Sequence, residues 1–206
     1  MEYGVRRIFK IPVKVNRREI YIYSGYKGLN KPSEEVDAII DECLEELEQL
    51  SEPKASLFVS PITWESPSSF SIGNLNIYSE TLGKNLADCK SAVLVGATLS
   101  ASVDLLLHRY SKLAITKSIL MQATAAAYIE AYLNAIEDVL KSELNPEGYT
   151  LRPRFSPGFG DFGTEYQEDF LEAVNAKRYL GVSLANDSAM MTPSKSVTAV
   201  MGICKL

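Results

Sequence analysis

Arg152-Pro153-Arg154-Phe155-Ser156-Pro157-Gly158-Phe159-Gly160-Asp161-Phe162 packs two arginines, two prolines, two glycines and three aromatic rings into eleven residues. Proline fixes φ and removes a donor, while glycine permits close backbone approach, so the stretch is stiff and cannot run as an ordinary strand. It can hold carbonyl and N–H groups in a preset array around a small ligand, with an arginine available to fork onto a carboxylate. The same composition also makes a rigid surface turn whose arginines sit in ordinary ion pairs.

Other candidate chemistry is thin. The single histidine, His108, has no second imidazole as partner, which removes a His-rich metal site and most His-based acid–base catalysis, so no catalytic residue and no metal ligand is assigned. Gly96-Ala97-Thr98-Leu99-Ser100 could offer backbone N–H groups to an anion, but it lacks the lysine and glycine spacing of a phosphate loop and reads as a structural turn. Cys43, Cys89 and Cys204 are odd in number, far apart and without a CxxC pair, which reads as reduced and structural. The acidic residues from Glu34 to Glu48 read as the wet side of a helix, with docking of a basic partner as the alternative.

The elements that must position the stiff segment come next. The 206 residues are 46% apolar and 23% charged, enough for a sizeable core in one domain spanning 1–206. A net charge of -5 argues against nucleic acid as a partner. The chain carries no apolar run long enough to span a bilayer and starts with the polar Met1-Glu2-Tyr3, so no membrane is expected and a cytoplasmic place is.

Alternation predicts strand-like structure at Ile8–Val15 and Ile20–Tyr23, then a turn at Gly25-Tyr26-Lys27-Gly28. Val36, Ile39, Ile40, Cys43, Leu44, Leu47 and Leu50 recur at helical spacing and predict an amphipathic helix from Ser33 to Leu50. Short strands are expected at Leu57–Val59 and Leu75–Tyr78, with Ser79 capping a helix that reaches about Cys89. Ala92–Thr98 reads as a buried strand, followed by a helix holding Val103, Leu106 and Leu107 and by a long helix over Ile115 to Leu144, stopped at Asn145-Pro146-Glu147-Gly148. Thr164 and Gln167 have capping-box spacing, opening a last helix that Gly181 stops, and Val182–Leu184 and Ser196–Ile203 read as closing strands. Strands and helices mix without βαβ alternation, which predicts α+β.

Arg154-Phe155-Ser156-Pro157-Gly158-Phe159 resembles the RxxxGY signature of the S-adenosylmethionine-binding activation domain of cobalamin-dependent methionine synthase. Ser188-Ala189-Met190-Met191-Thr192-Pro193-Ser194-Lys195-Ser196-Val197-Thr198 is similar to that family's later S-x-x-M-x-P-x-x-S-V block. Gly25–Gly28, Ala97-Thr98-Leu99, Val103-Asp104 and Ile129-Glu130-Ala131 are similar to its free-standing members, so the resemblance covers most of the chain.

The resemblance implies a bent, mainly antiparallel sheet flanked by helices. It implies that Arg154 helps hold the methionine end of S-adenosylmethionine, that backbone groups from Arg154 through Phe155, Ser156 and Pro157 to Gly158 receive the adenine and its neighbours, and that Phe159 lines the pocket or faces the corrin. Phe159 stands where the family has tyrosine, so any contact needing that hydroxyl is lost. Glu130 matches a ligand-contacting glutamate, with an ordinary helical glutamate as the alternative.

The implied function is reactivation: cob(II)alamin on a separate methionine synthase recovers by taking one electron, from a donor such as flavodoxin, and a methyl group from S-adenosylmethionine. Positioning matters more than proton transfer in such a step. The client could instead be another corrinoid protein, or the chain a non-catalytic binding or docking module.

Overall fold

The computed structural model describes residues 3–26, 31–185 and 189–206, so Lys27, Gly28 and Ser188 of the segments quoted above lie outside the described residues. A strand, β1 (Gly4–Phe9), is followed by a short helix, α1 (Arg17–Tyr23), and by α2 (Glu34–Leu50). Ser33 caps α2 by accepting from the Val36 N–H, and Glu34, Glu35 and Asp37 sit at the positive end of its dipole. Ile40, Cys43 and Leu47 form its buried stripe.

The helix α1 corrects the strand expected at Ile20–Tyr23. Its residues favour strand by propensity, but Asn16 caps a helix there by accepting from the Arg18 N–H, and Ile20 is fully buried. Arg17 pairs with Asp37 and Asp41 of α2, and the Tyr21 hydroxyl donates to Asp37 at 2.7 Å. Docking on neighbouring helices thus overrides local preference. The strand expected over Ile8–Val15 instead ends at Phe9, where Lys10 turns to φ +51° and breaks the extended run.

The sheet continues with β2 (Lys54–Ser66), β3 (Ser69–Ile72) and β4 (Leu75–Tyr78), then α3 (Glu80–Leu86) and β5 (Ser91–Thr98). Ser79 caps α3 as expected, accepting from the Leu82 N–H at 3.0 Å. Two helices packed on each other follow, α4 (Ala101–Leu113) and α5 (Ile115–Leu144), and then the short strand β6 (Tyr149–Leu151). The chain closes with α6 (Gln167–Ala173), α7 (Ala176–Tyr179), β7 (Ser183–Leu184), β8 (Met191–Thr192) and β9 (Ser196–Lys205).

Among the described residues every pairing is antiparallel, in the order β4-β3-β2-β5-β9-β6, with β1 also on β2 and β7 paired with β8 apart. The strand β2 serves two sets of neighbours: β1 pairs with it up to Val59, and β3 begins at Ile62. Pro61 sits at that changeover, where its missing N–H costs no ladder bond on that side.

Alternation along the central strands divides the core in two. Val93, Val95 and Ala97 of β5, with Ala199, Met201 and Ile203 of β9, pack under α2, α4 and α5. Ala92, Leu94, Val200 and Cys204 face the other way, toward α3, α6 and α7. The protein is therefore α+β, a mainly antiparallel sheet flanked by helices. Helix α5 has 30 residues and is about 45 Å long, and its Ala123, Ala125 and Ala127 are small enough to bring it close to its neighbours. All three cysteines are free and buried, and burial pushes the Cys43 and Cys89 thiols up to about 11. Among the described residues no helix is long and apolar enough to cross a membrane.

The capping box expected at Thr164 and Gln167 does not form. Thr164–Tyr166 makes a 3-10 turn without a side-chain cap, and Gln167 turns inward to donate from Nε2 to Thr198 Oγ1 of β9 at 2.8 Å. A buried threonine hydroxyl needs a partner, and Gln167 supplies it. Phe170, Leu171 and Val174 are buried as expected.

Candidate functional site

The last strand of the sheet, β6, does not end the contact with β9. Beyond it the Arg152 N–H donates to the Gly202 carbonyl at 2.8 Å, and Phe155 and Val200 exchange both backbone bonds, at 2.9 and 2.8 Å. In an antiparallel pair the neighbouring residues turn their backbone groups the other way, so those of Arg154 and Ser156 point off the edge. Among the described residues the N–H groups of Arg154 and Ser156 and the Arg154 carbonyl have no hydrogen-bond partner, whereas the Ser156 carbonyl accepts from the Phe159 N–H at 3.2 Å.

The turn that follows is closed by its own bonds. The Gly158 N–H donates to Phe162 at 2.7 Å and the Phe162 N–H donates back to Phe159 at 3.0 Å. Gly158 adopts φ +98°, a conformation that side chains with a Cβ strain to reach. Asp161 then ties the turn to the start of α3: its carboxylate accepts from Ser79 Oγ and the Glu80 N–H, each at 2.6 Å, from the Thr81 N–H at 3.1 Å and from Thr81 Oγ1. These bonds hold the Asp161 carboxyl well below the usual carboxylate range.

The three phenylalanines of the segment separate. Phe162 is fully buried and stacks on Tyr166, with ring centroids 5.4 Å apart. Phe155 packs against the core on the α3, α6 and α7 side, so at the edge only its backbone is presented. Phe159 is 65% exposed on the rim.

On the opposite face, α5 lays acidic side chains along the edge. Arg154 Nη2 donates to Glu130 at 3.1 Å and Nη1 to Glu137 at 3.0 Å, while the other oxygen of Glu137 accepts from Lys141 Nζ at 2.7 Å. Between this row and the loop lies a groove of about 420 Å³, lined by Glu130, Leu133, Glu137, Lys141, Leu151, Pro153, Arg154, Ser156, Phe159 and Val197. Tyr23 of α1 stands near enough that Glu130 and Glu19 add to the effect of burial in pushing its hydroxyl up.

Of the residues singled out from sequence, Glu130, Arg154, Ser156 and Phe159 share this groove, and Pro157 and Gly158 form the turn beside it. Glu137 and Lys141 are additions. The spacing of Glu137, seven after Glu130 and four before Lys141, was a legible signal for one face of a helix.

The second block lies behind the groove. Ser194 donates to Asp104 of α4 from its N–H at 2.8 Å and from its hydroxyl at 2.6 Å, and Ser196 donates to Thr98 Oγ1 at 2.8 Å. These contacts bring together segments quoted separately for the resemblance, and Val197 of the same block reaches the groove wall. On α2, by contrast, part of the acidic face is spent within the chain: Glu42 and Glu46 both accept from Lys117 at 2.8 Å.

The chain matches no family model and no curated protein. Its fold is similar to a solved structure described as "Crystal Structure of the MetH Reactivation Domain bound to AdoHcy", with a TM-score of 0.70 over 97% of this chain and 78% of that one. Sequence identity between the two is 13%, so the likeness establishes that this chain has the fold of the MetH reactivation domain.

Proposed function

We propose that this chain, as one activation-like domain over residues 1–206, binds S-adenosylmethionine in the groove between the sheet edge and α5. One observation carries the reading: Arg154 stands in that groove between two carboxylates, directly beside the outward-facing backbone groups of Arg154 and Ser156. A cation next to a carboxylate suits the two charges of an amino-acid head, and a row of free edge groups suits the polar rim of a purine. The fold it occurs in is that of a domain solved with AdoHcy, the demethylated form of the same metabolite.

The larger role we propose is reactivation of a separate corrinoid protein, a cobalamin-dependent methionine synthase or another corrinoid methyltransferase, with the electron coming from a flavodoxin-like donor in the cytoplasm. The bound sulfonium would supply an activated methyl group to the partner's cobalamin. This chain's residues would bind and orient it: Arg154 and Glu130 fix the amino-acid end, Gly158 keeps the turn shape, and the exposed Phe159 ring marks the rim toward which the partner docks.

Calorimetric titration with S-adenosylmethionine tests the binding, and absence of heat at millimolar ligand would end the proposal. A single-turnover assay with the corrinoid partner, a reductant and methyl-labelled S-adenosylmethionine tests the role. Label on the corrinoid supports reactivation, and binding without label leaves a docking module.

A further inference from the structure

Resting on the binding reading above, we infer that Glu137 is a positioning residue that makes the site selective for ligands carrying a zwitterionic amino-acid head. Glu137 and Glu130 lie two turns apart on one face of α5, about 10.5 Å along its axis, and Arg154 reaches both with separate nitrogens. The two contacts are not equivalent. The Glu137 side chain is 17% exposed and gives one oxygen to Arg154 and the other to Lys141, whereas Glu130 is 35% exposed and, among the described residues, holds Arg154 alone. Breaking the Arg154–Glu137 contact would leave a shielded carboxylate with Lys141 on one oxygen and nothing on the other, while Glu130 returns to water at little cost.

Glu137 is therefore the fixed clamp and Glu130 the exchangeable partner. The Arg154–Glu130 pair is an internal stand-in for the ligand head: a carboxylate displaces Glu130 from Nη2, and the freed Glu130 accepts from the ammonium. The formal charges of Glu130, Glu137, Arg154 and Lys141 cancel, so a head with no net charge enters without upsetting the balance. Without the clamp, Nη1 is released and the guanidinium can fork onto Glu130 with both nitrogens, closing the site against a zwitterion.

The test titrates AdoHcy and 5′-methylthioadenosine, which shares the adenosine and thioether but has no amino-acid end, into wild type, Glu137→Gln and Glu137→Asp. Glu137→Gln is expected to weaken AdoHcy by about tenfold and to leave methylthioadenosine within about twofold, with Glu137→Asp recovering part of the loss. Retained methylthioadenosine binding also reports that the variant is folded. Equal loss for both ligands, or none for AdoHcy, overturns the assignment while leaving the binding reading intact. Wild-type protein that binds neither ligand overturns the binding reading, and the assignment with it.

Discussion

Arg154 Nη2 stands 3.1 Å from the Glu130 carboxylate, joining the open edge of the sheet to the middle of α5. The guanidinium is presented at the edge because Phe155 turns its ring to the other face, and its neighbour must then face α5. The groove therefore follows from strand alternation meeting a helix that runs alongside.

Replacing Arg154 by alanine is expected to weaken S-adenosylmethionine or AdoHcy binding by about 1.5–3 kcal/mol, the range for losing a hydrogen bond to a charged group. Calorimetry reads this directly. Affinity equal to wild type would take Arg154 out of the site.

Phe159→Tyr is expected to change stability by no more than about 0.5 kcal/mol, since the ring is 65% exposed and a hydroxyl can reach water. Urea unfolding of the two proteins checks it. A loss of several kcal/mol would show that the ring is packed rather than presented.

Asp161 gives a pH dependence with a definite sign. Its folded carboxyl is held below the ordinary value by Ser79, Thr81 and the α3 amides, so its contribution is complete above the unfolded value of about 3.9 and is lost as the pH falls toward the folded one. Wild-type melting temperature should therefore fall below about pH 4 more steeply than that of Asp161→Asn, which should also be the less stable protein at pH 7. Parallel curves for the two proteins would contradict this.

Gly202 of β9 has no room for a side chain. A Cβ there would meet Cys89 Sγ and come within 2.7 Å of Leu86 Cδ2 of α3, the helix to which Asp161 ties the 158–162 turn. Gly202→Ala should cost about 1–3 kcal/mol by overpacking, measured by denaturant unfolding. An unchanged midpoint would mean that α3 moves away freely.

What the sequence determined by itself was local and periodic. Helix spacing delivered α2 and α5, the hydroxyl of Ser79 marked a helix start, and the prolines and glycines of residues 152–162 announced a stiff segment, although its first residues still pair along β9. The pairing of Arg154 with Glu130 was half legible, because each residue stood out alone.

The tertiary structure decided the rest, for a consistent physical reason: where local preference is weak, distant contacts choose. Ile20–Tyr23 became helical because Arg17 and Tyr21 found Asp37 and Asp41, and Gln167 left the capping box because Thr198 needed a partner in the core. The spacing within α5 marked the face on which Glu137 lies, but its pairing with Arg154 arose only when the sheet edge brought the two segments together.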